Sequence, residues 1–326
     1  MSVRSAVAAA LFALAAVAAL LGGGSPAVAA GGAQRIMTSA PARVDLPGAP
    51  HTGPAADAAL RAYWTPRRMR QAVHHAAVRD GTATSGLTAQ AAAAGLPDGH
   101  GPVATVDTVG KLFFTYPGGQ PSVCSGSVLN TTAETLVLTA AHCLEEGGPN
   151  GQWHTNFLFV PAYDGSATPP LGSFAVWNVA SDSLWASDAD ENHDYGIAIT
   201  YDNSLGEHVA DAAGAFDIVS GHGTVNEVTI IGYPSEGAYD GKHQEYCKDL
   251  SEPTPVPRNL IMARCPNMVG GSSGSPWLLD YDPVDQVGEI YGVNAVFDGT
   301  YIATPRFDDR TLQLVAMVNQ LAAARP

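Results

Sequence analysis

The sequence predicts an all-β domain, a barrel or sandwich, over residues 101–326, closed by a C-terminal helix. Three observations carry this prediction. From Thr108 onward the chain breaks into short runs rich in β-branched and aromatic residues, separated by turn residues. Those runs follow one another without intervening helical patterns, so they do not read as βαβ units. The chain then ends on a stretch of helical period, Asp309–Ala324, where Leu314, Val318 and Leu321 share a face.

Residues 1–30 stand apart as a signal peptide. Arg4 precedes an apolar run of 16 residues, Ala6–Leu21, which Gly22–Pro26 interrupts before the small-x-small site Ala27-Val28-Ala29. The run is short for a bilayer, which takes about 20 apolar residues. No later stretch is apolar enough to span one. The expectation is therefore an exported protein, free of the membrane once the signal is removed.

Residues 31–100 read as a pro-like segment and linker. The part from 31 to 59 is rich in Gly, Ala and Pro without sustained period, and reads as flexible. A short helix follows, with Thr65 as N-cap, Pro66 in the first position and no breaker over Arg67–Val78. Residues 80–101 return to Gly, Ala, Thr and Pro and read as a linker.

The strands expected in the body are Thr108–Tyr116, Val123–Leu129, Leu136–Leu138, Asn156–Val160, Phe174–Val179, Glu227–Gly232, Leu260–Ala263 and Glu289–Phe297. No internal repeat is present.

Charge divides the same way. Residues 31–99 carry 7 Arg against 4 Asp, and residues 100–326 carry 8 basic against 27 acidic groups, a net of −19. An acidic body lacks the basic footprint that nucleic-acid binding requires. The basic segment has the opposite sign, which would favour its docking on the body as the protein's own pro-segment.

Four cysteines stand at positions 124, 143, 247 and 265. In an oxidising compartment an even number reads as two disulfides, and four cysteines allow three pairings. None of the spacings suits zinc. No cofactor is expected. Asp188, Asp190 and Glu191, and likewise Asp280, Asp282 and Asp285, are spaced closely enough for calcium. Neither set has the glycine and terminal Glu of a calcium loop.

Three local patterns suggest chemistry. In Leu138-Thr139-Ala140-Ala141-His142-Cys143, His142 offers an imidazole that could accept a proton from a hydroxyl, which by itself is a weak nucleophile. In His193-Asp194-Tyr195-Gly196-Ile197, an acid opens an apolar strand and needs a partner, because an unpaired buried charge is costly. An imidazole would be such a partner. In Gly270-Gly271-Ser272-Ser273-Gly274-Ser275-Pro276-Trp277, small residues permit a tight turn whose N–H groups could converge on an oxyanion.

Taken together and in this order, these motifs resemble the trypsin/chymotrypsin-like serine peptidases. The likeness covers roughly residues 105–305. It is closest to the bacterial secreted branch that includes the glutamyl endopeptidases, where Ser-Gly-Ser-Pro is found in place of Ser-Gly-Gly-Pro. Trp64-Thr65-Pro66-Arg67-Arg68-Met69 is similar to a pro-region segment of some members.

The resemblance implies two antiparallel six-stranded β-barrels followed by the C-terminal helix, acting as a monomer on a protein or peptide substrate. It assigns Ser273 as nucleophile, His142 as general base and Asp194 as orienting carboxylate, with the N–H groups of Gly271 and Ser273 as oxyanion hole. It pairs Cys124 with Cys143 and Cys247 with Cys265.

The pattern also departs from the family. Ser272 stands where trypsin-type zymogens carry the Asp that pairs with a new N-terminus. Asn267 stands six residues before the nucleophile, where trypsin has its acid, with Met268 beside it. Asn294 stands where glutamyl endopeptidases carry a histidine. These three residues are the expected specificity pocket, and none carries charge. Glutamyl preference is one alternative reading; a catalytically silent binding protein on the same scaffold is another.

Overall fold

The computed structural model describes residues 36–72, 96–255 and 258–325. The expected signal peptide, residues 73–78 of the expected helix and most of the expected linker lie outside the described residues.

Segment 36–72 contains strand β1 (Met37–Pro41) and helices α1 (Pro54–Tyr63) and α2 (Pro66–Gln71). After β2 (Gly99–Pro102), the first half of the body supplies β3 (Val109–Thr115), β4 (Pro121–Val128), β5 (Leu136–Thr139), β6 (Thr155–Pro161), β7 (Phe174–Asp182), α3 (Ser183–Asp188) and β8 (Gly196–Thr200). The second half adds α4 (Val209–Ala213), β9 (Asp217–Ile218), β10 (Glu227–Gly232), β11 (Glu245–Leu250), β12 (Glu252–Pro253), β13 (Leu260–Arg264), β14 (Pro276–Asp282), β15 (Val287–Val293), β16 (Val296–Phe297), β17 (Tyr301–Pro305) and α5 (Asp309–Ala323).

The first barrel closes in the order β7-β6-β3-β4-β5-β8, with β8 pairing back to β7. Strand period explains how one sequence serves two layers. On β3, Leu112 and Phe114 point inward to Phe157, Phe159, Phe174 and Cys124. Their alternate, Phe113, faces the opposite way, into a second core shared with Trp64, Tyr163, Tyr233 and Leu278. That second core cements the two halves of the body and the segment 36–72.

The second barrel is built from two sheets. β2-β11-β10-β14-β15-β9 forms one and β12-β13-β17-β16 the other. Val228, Ile230, Ile261, Met268, Trp277, Tyr291 and Ile302 fill the space they enclose. The Cys247–Cys265 disulfide joins β11 to the end of β13 on one side. On the other, the Val293 N–H donates to Thr304 Oγ1 at 2.8 Å, linking β15 to β17. Helix α5 closes the chain, its N-cap Asp308 forming a capping box with Thr311 and its face of Leu314, Val315 and Val318 buried.

Two expectations are corrected here. Residues 36–59 are not featureless: β1 pairs antiparallel with β7 from Met37↔Asp182 to Pro41↔Asn178, and α1 buries Ala56 and Leu60. The strand exists because β6 covers only Phe174 and Ala175 on that edge of β7, leaving the rest of the ladder to be completed. No local period could announce it. The helix at Thr65 is also shorter than expected. Its cap is present, with Thr65 Oγ1 accepting the Arg68 N–H at 3.2 Å, but Ala72 is already extended.

Candidate active site

The site lies between the barrels. His142 sits on a single helical turn, Ala141–Cys143, directly after β5, and Asp194 sits just before β8. The β5–β8 ladder places Thr139 opposite Gly196, so the register brings the two residues together. Asp194 accepts twice from the same residue: from the His142 backbone N–H at 2.8 Å and from Nδ1 at 2.7 Å. This fixes the proton on Nδ1 and leaves Nε2 as the acceptor face of the neutral ring. The Cys124–Cys143 disulfide ties the turn to β4.

Burial alone would lower the His142 pKa. The negative charge of Asp194 and its hydrogen bond outweigh that effect, and the net shift is upward from 6.5. The carboxylate is 3% exposed and the imidazole 24%, so the ring keeps an open edge.

His154 was not singled out by sequence reasoning, and no motif marks it. It stacks on Phe114 with centroids 4.9 Å apart and lies 3.2 Å through Nε2 from the His142 carbonyl. Burial depresses its pKa to about 4, so it is neutral near pH 7. With Nε2 donating to the carbonyl, Nδ1 is unprotonated, and it is buried without a partner among the described residues.

Ser273 lies on the turn between β13 and β14. Its carbonyl accepts the Ser125 N–H at 2.8 Å, and Ser125 Oγ donates to Gly271 O at 3.0 Å. Ser125 belongs to β4 of the first barrel, so one residue staples the serine turn of the second barrel to the first. Gly274 (φ +80°) packs against Thr139 Oγ1, Ser125 O and the Ala140 N–H, where a Cβ would collide. The turn is thus pressed onto the strand that leads to His142.

Within Gly271–Leu279 only Ser273 is not buried. Among the described residues its hydroxyl and the N–H groups of Gly271 and Ser273 have no hydrogen-bond partner. Two free amides beside an accessible hydroxyl are what stabilising an oxyanion at that position would need.

The expected specificity residues behave differently. Met268 is fully buried in the second-barrel core. Asn267 is 1% exposed and donates through Nδ2 to Tyr246 O. Asn294 is 0% exposed and its amide bonds the serine turn itself, so it presents no surface to a substrate. All three side chains are thus buried, and those of Asn267 and Asn294 are engaged by hydrogen bonds within the fold.

Three of the acids considered for calcium are engaged locally. Asp190 bonds Asn192 and His193, Asp188 accepts from Ser187, and Asp282 accepts the N–H groups of Val284 and Asp285. The one grouping of potential ligand atoms among the described residues, Cys124, His142 and Cys143, has both sulfurs in a disulfide and does not fit a metal.

Family models and curated proteins yield no match. Solved structures do. A thermostable serine protease, AL20, from an extremophilic microorganism aligns at 28% identity and TM-score 0.61, over 66% of this chain and 98% of its own. The protease Anisep from Arthrobacter nicotinovorans aligns at 28% identity and TM-score 0.61, over 69% of this chain and 100% of its own. The chain is a chymotrypsin-like serine protease. A Glu endopeptidase shares the fold of this protease at 19% identity, TM-score 0.53, over 69% of this chain and 98% of its own. The two disulfides of the serine protease suit an oxidising environment. Among the described residues no helix is long and apolar enough to cross a membrane.

Proposed function

We propose that the protein is a secreted serine endopeptidase that cleaves peptide bonds in protein substrates through an acyl-enzyme on Ser273. The observation that supports this best is the two-point grip of Asp194 on His142, beside a serine turn held against the same strand. Ser273 Oγ attacks the peptide carbonyl as its proton passes to His142 Nε2. Asp194 stabilises the resulting imidazolium through Nδ1–H. The Gly271 and Ser273 N–H groups hold the oxyanion, each such donor contributing about 3–4 kcal/mol in comparable sites. Collapse expels the amine with the proton from His142, and water deprotonated by His142 then releases the acid.

The signal-like residues 1–30 support export, and the basic segment 31–100 acts as the pro-segment of a monomeric enzyme. Glutamyl preference is the weaker reading, since Asn294 is neutral and engaged within the serine turn.

The test is a pair of measurements on the exported protein. A fluorophosphonate should label wild type at Ser273, and Ser273→Ala should lose turnover by a factor on the order of 10⁶. Casein hydrolysis by Ser273→Ala at the wild-type rate would end this assignment. N-terminal sequencing checks the signal and pro-segment.

A further inference from the structure

Asn294 follows directly on β15 and, among the described residues, is the only one that bonds both flanks of Ser273. Its N–H donates to Ser275 O at 3.0 Å, and its carbonyl accepts the Gly274 N–H at 2.8 Å. Its side chain continues the pattern. Nδ2 donates to Ser272 O at 3.2 Å and lies 3.3 Å from Ser272 Oγ, while Oδ1 accepts the Trp277 indole N–H at 2.7 Å. Ser272 Oγ in turn donates to Met268 O at 2.8 Å.

Side chain and backbone together, this one buried residue therefore bonds residues 272, 274, 275 and 277, and both polar ends of its side-chain amide are satisfied. The residues it holds flank Ser273, which carries the nucleophile and one of the two free N–H groups. A shift of about 1 Å in such a group can cost 10²-fold in rate.

We propose that Asn294 is a positioning residue of the serine turn and not a selector of the substrate side chain. The network is neutral throughout, so the turn is held in shape without an ion pair from a newly cut N-terminus. This inference rests on the reading of Ser273 as nucleophile.

Asn294→Asp and Asn294→His separate the two roles. Asp keeps the acceptor for Trp277 but sets a carboxylate, with no donor, against Ser272 O. The carboxylate repels that carbonyl and pushes the turn out of shape. A fall in kcat of about 10- to 100-fold is expected, with KM within about threefold of wild type. Fluorophosphonate labelling should slow in parallel. The residue profile at the cleaved bond, read with a peptide library, should keep its ranking. Asn294→His should lose turnover without gaining preference for Glu.

Wild-type kcat in Asn294→Asp, or active Asn294→His with a new preference for Glu, would overturn the proposal. Should neither variant fold, Trp277→Phe decides. It removes the bond to Oδ1 along with part of a buried ring, and kcat should fall about fivefold with the profile unchanged; unchanged kcat overturns the proposal. Wild type that fails to label would instead sink the serine-peptidase reading itself.

Discussion

Arg310, on the C-terminal helix, grips the carboxylate of Asp182 at two points, Nε to Oδ2 at 2.6 Å and Nη2 to Oδ1 at 2.8 Å. Asp182 is fully buried and also accepts from Tyr195 Oη at 3.0 Å and from the Leu184 N–H at 2.8 Å. Tyr195 is the neighbour of Asp194, so α5 is connected through one carboxylate to the segment before β8 that carries the acid of the site.

Removing one partner of such a pair leaves a buried charge unbalanced. Arg310→Met should cost about 3–5 kcal/mol, read as a drop in the denaturant midpoint. The double variant Asp182→Asn/Arg310→Met should be more stable than Arg310→Met alone, because no charge is left uncompensated. Equal stabilities would show that the pair contributes little.

The pH dependence follows from His142. The ring must be neutral to accept a proton, and Asp194 holds its pKa above 6.5. The acid limb of kcat/KM should therefore have its midpoint above 6.5. Asp194→Asn removes the charge and leaves burial, so the midpoint should move down while kcat falls by about 10⁴, as in related triads. For stability the sign is that of a raised histidine: the contribution is present below pH 6.5 and is lost as pH rises through the folded value. A midpoint at or below 6.5 in wild type would contradict the hydrogen-bond geometry.

The strands that hold the site were legible because local chemistry forms them. Glu227–Gly232 matches its expected bounds, and α5 differs at one end by a single residue. His142, Asp194 and Ser273 could be singled out because their motifs are local and ordered. What the sequence hid depends on tertiary contact. β1 owes its existence to the open edge of β7, and the role of Ser125 to a partner 148 positions away. Asn294 was read as a pocket residue because its place after Gly292-Val293 is visible in the sequence, whereas the direction of its amide is not. β15 and β16 were read as one strand, and the break falls at Asn294–Ala295, where the backbone turns to bond Gly274 and Ser275.

His154 makes the fold sensitive to acid. Unfolded, the imidazole titrates near 6.5; folded, near 4. Between these values the unfolded chain binds more protons. Stability is then complete above pH 6.5 and is lost as pH falls through the window, by an amount on the order of 3 kcal/mol. His154→Gln does not titrate and should flatten this slope. Urea midpoints of both proteins at pH 4 and pH 7 test it: wild type should lose clearly more between the two. The same loss in both would place the acid sensitivity elsewhere.

Trp64 anchors segment 36–72. It is 2% exposed, its indole N–H donates to Asn156 O at 2.6 Å, and its ring lies 5.4 Å from that of Phe113 in the core between the barrels. Arg61 adds a bond to Asp202 O at 2.8 Å, and β1 completes the ladder of β7. Contacts of this number and depth make the segment part of the first barrel's packing. Trp64→Ala should cost about 3–5 kcal/mol of stability. A chain cut at an engineered protease site between residues 73 and 95 should still elute with fragment 36–72 bound at neutral pH and low salt, whereas the cut Trp64→Ala chain should release it. If the wild-type fragment separates on the same column, its apolar contacts and the opposite charges of segment and body do not outweigh the entropy gained by release.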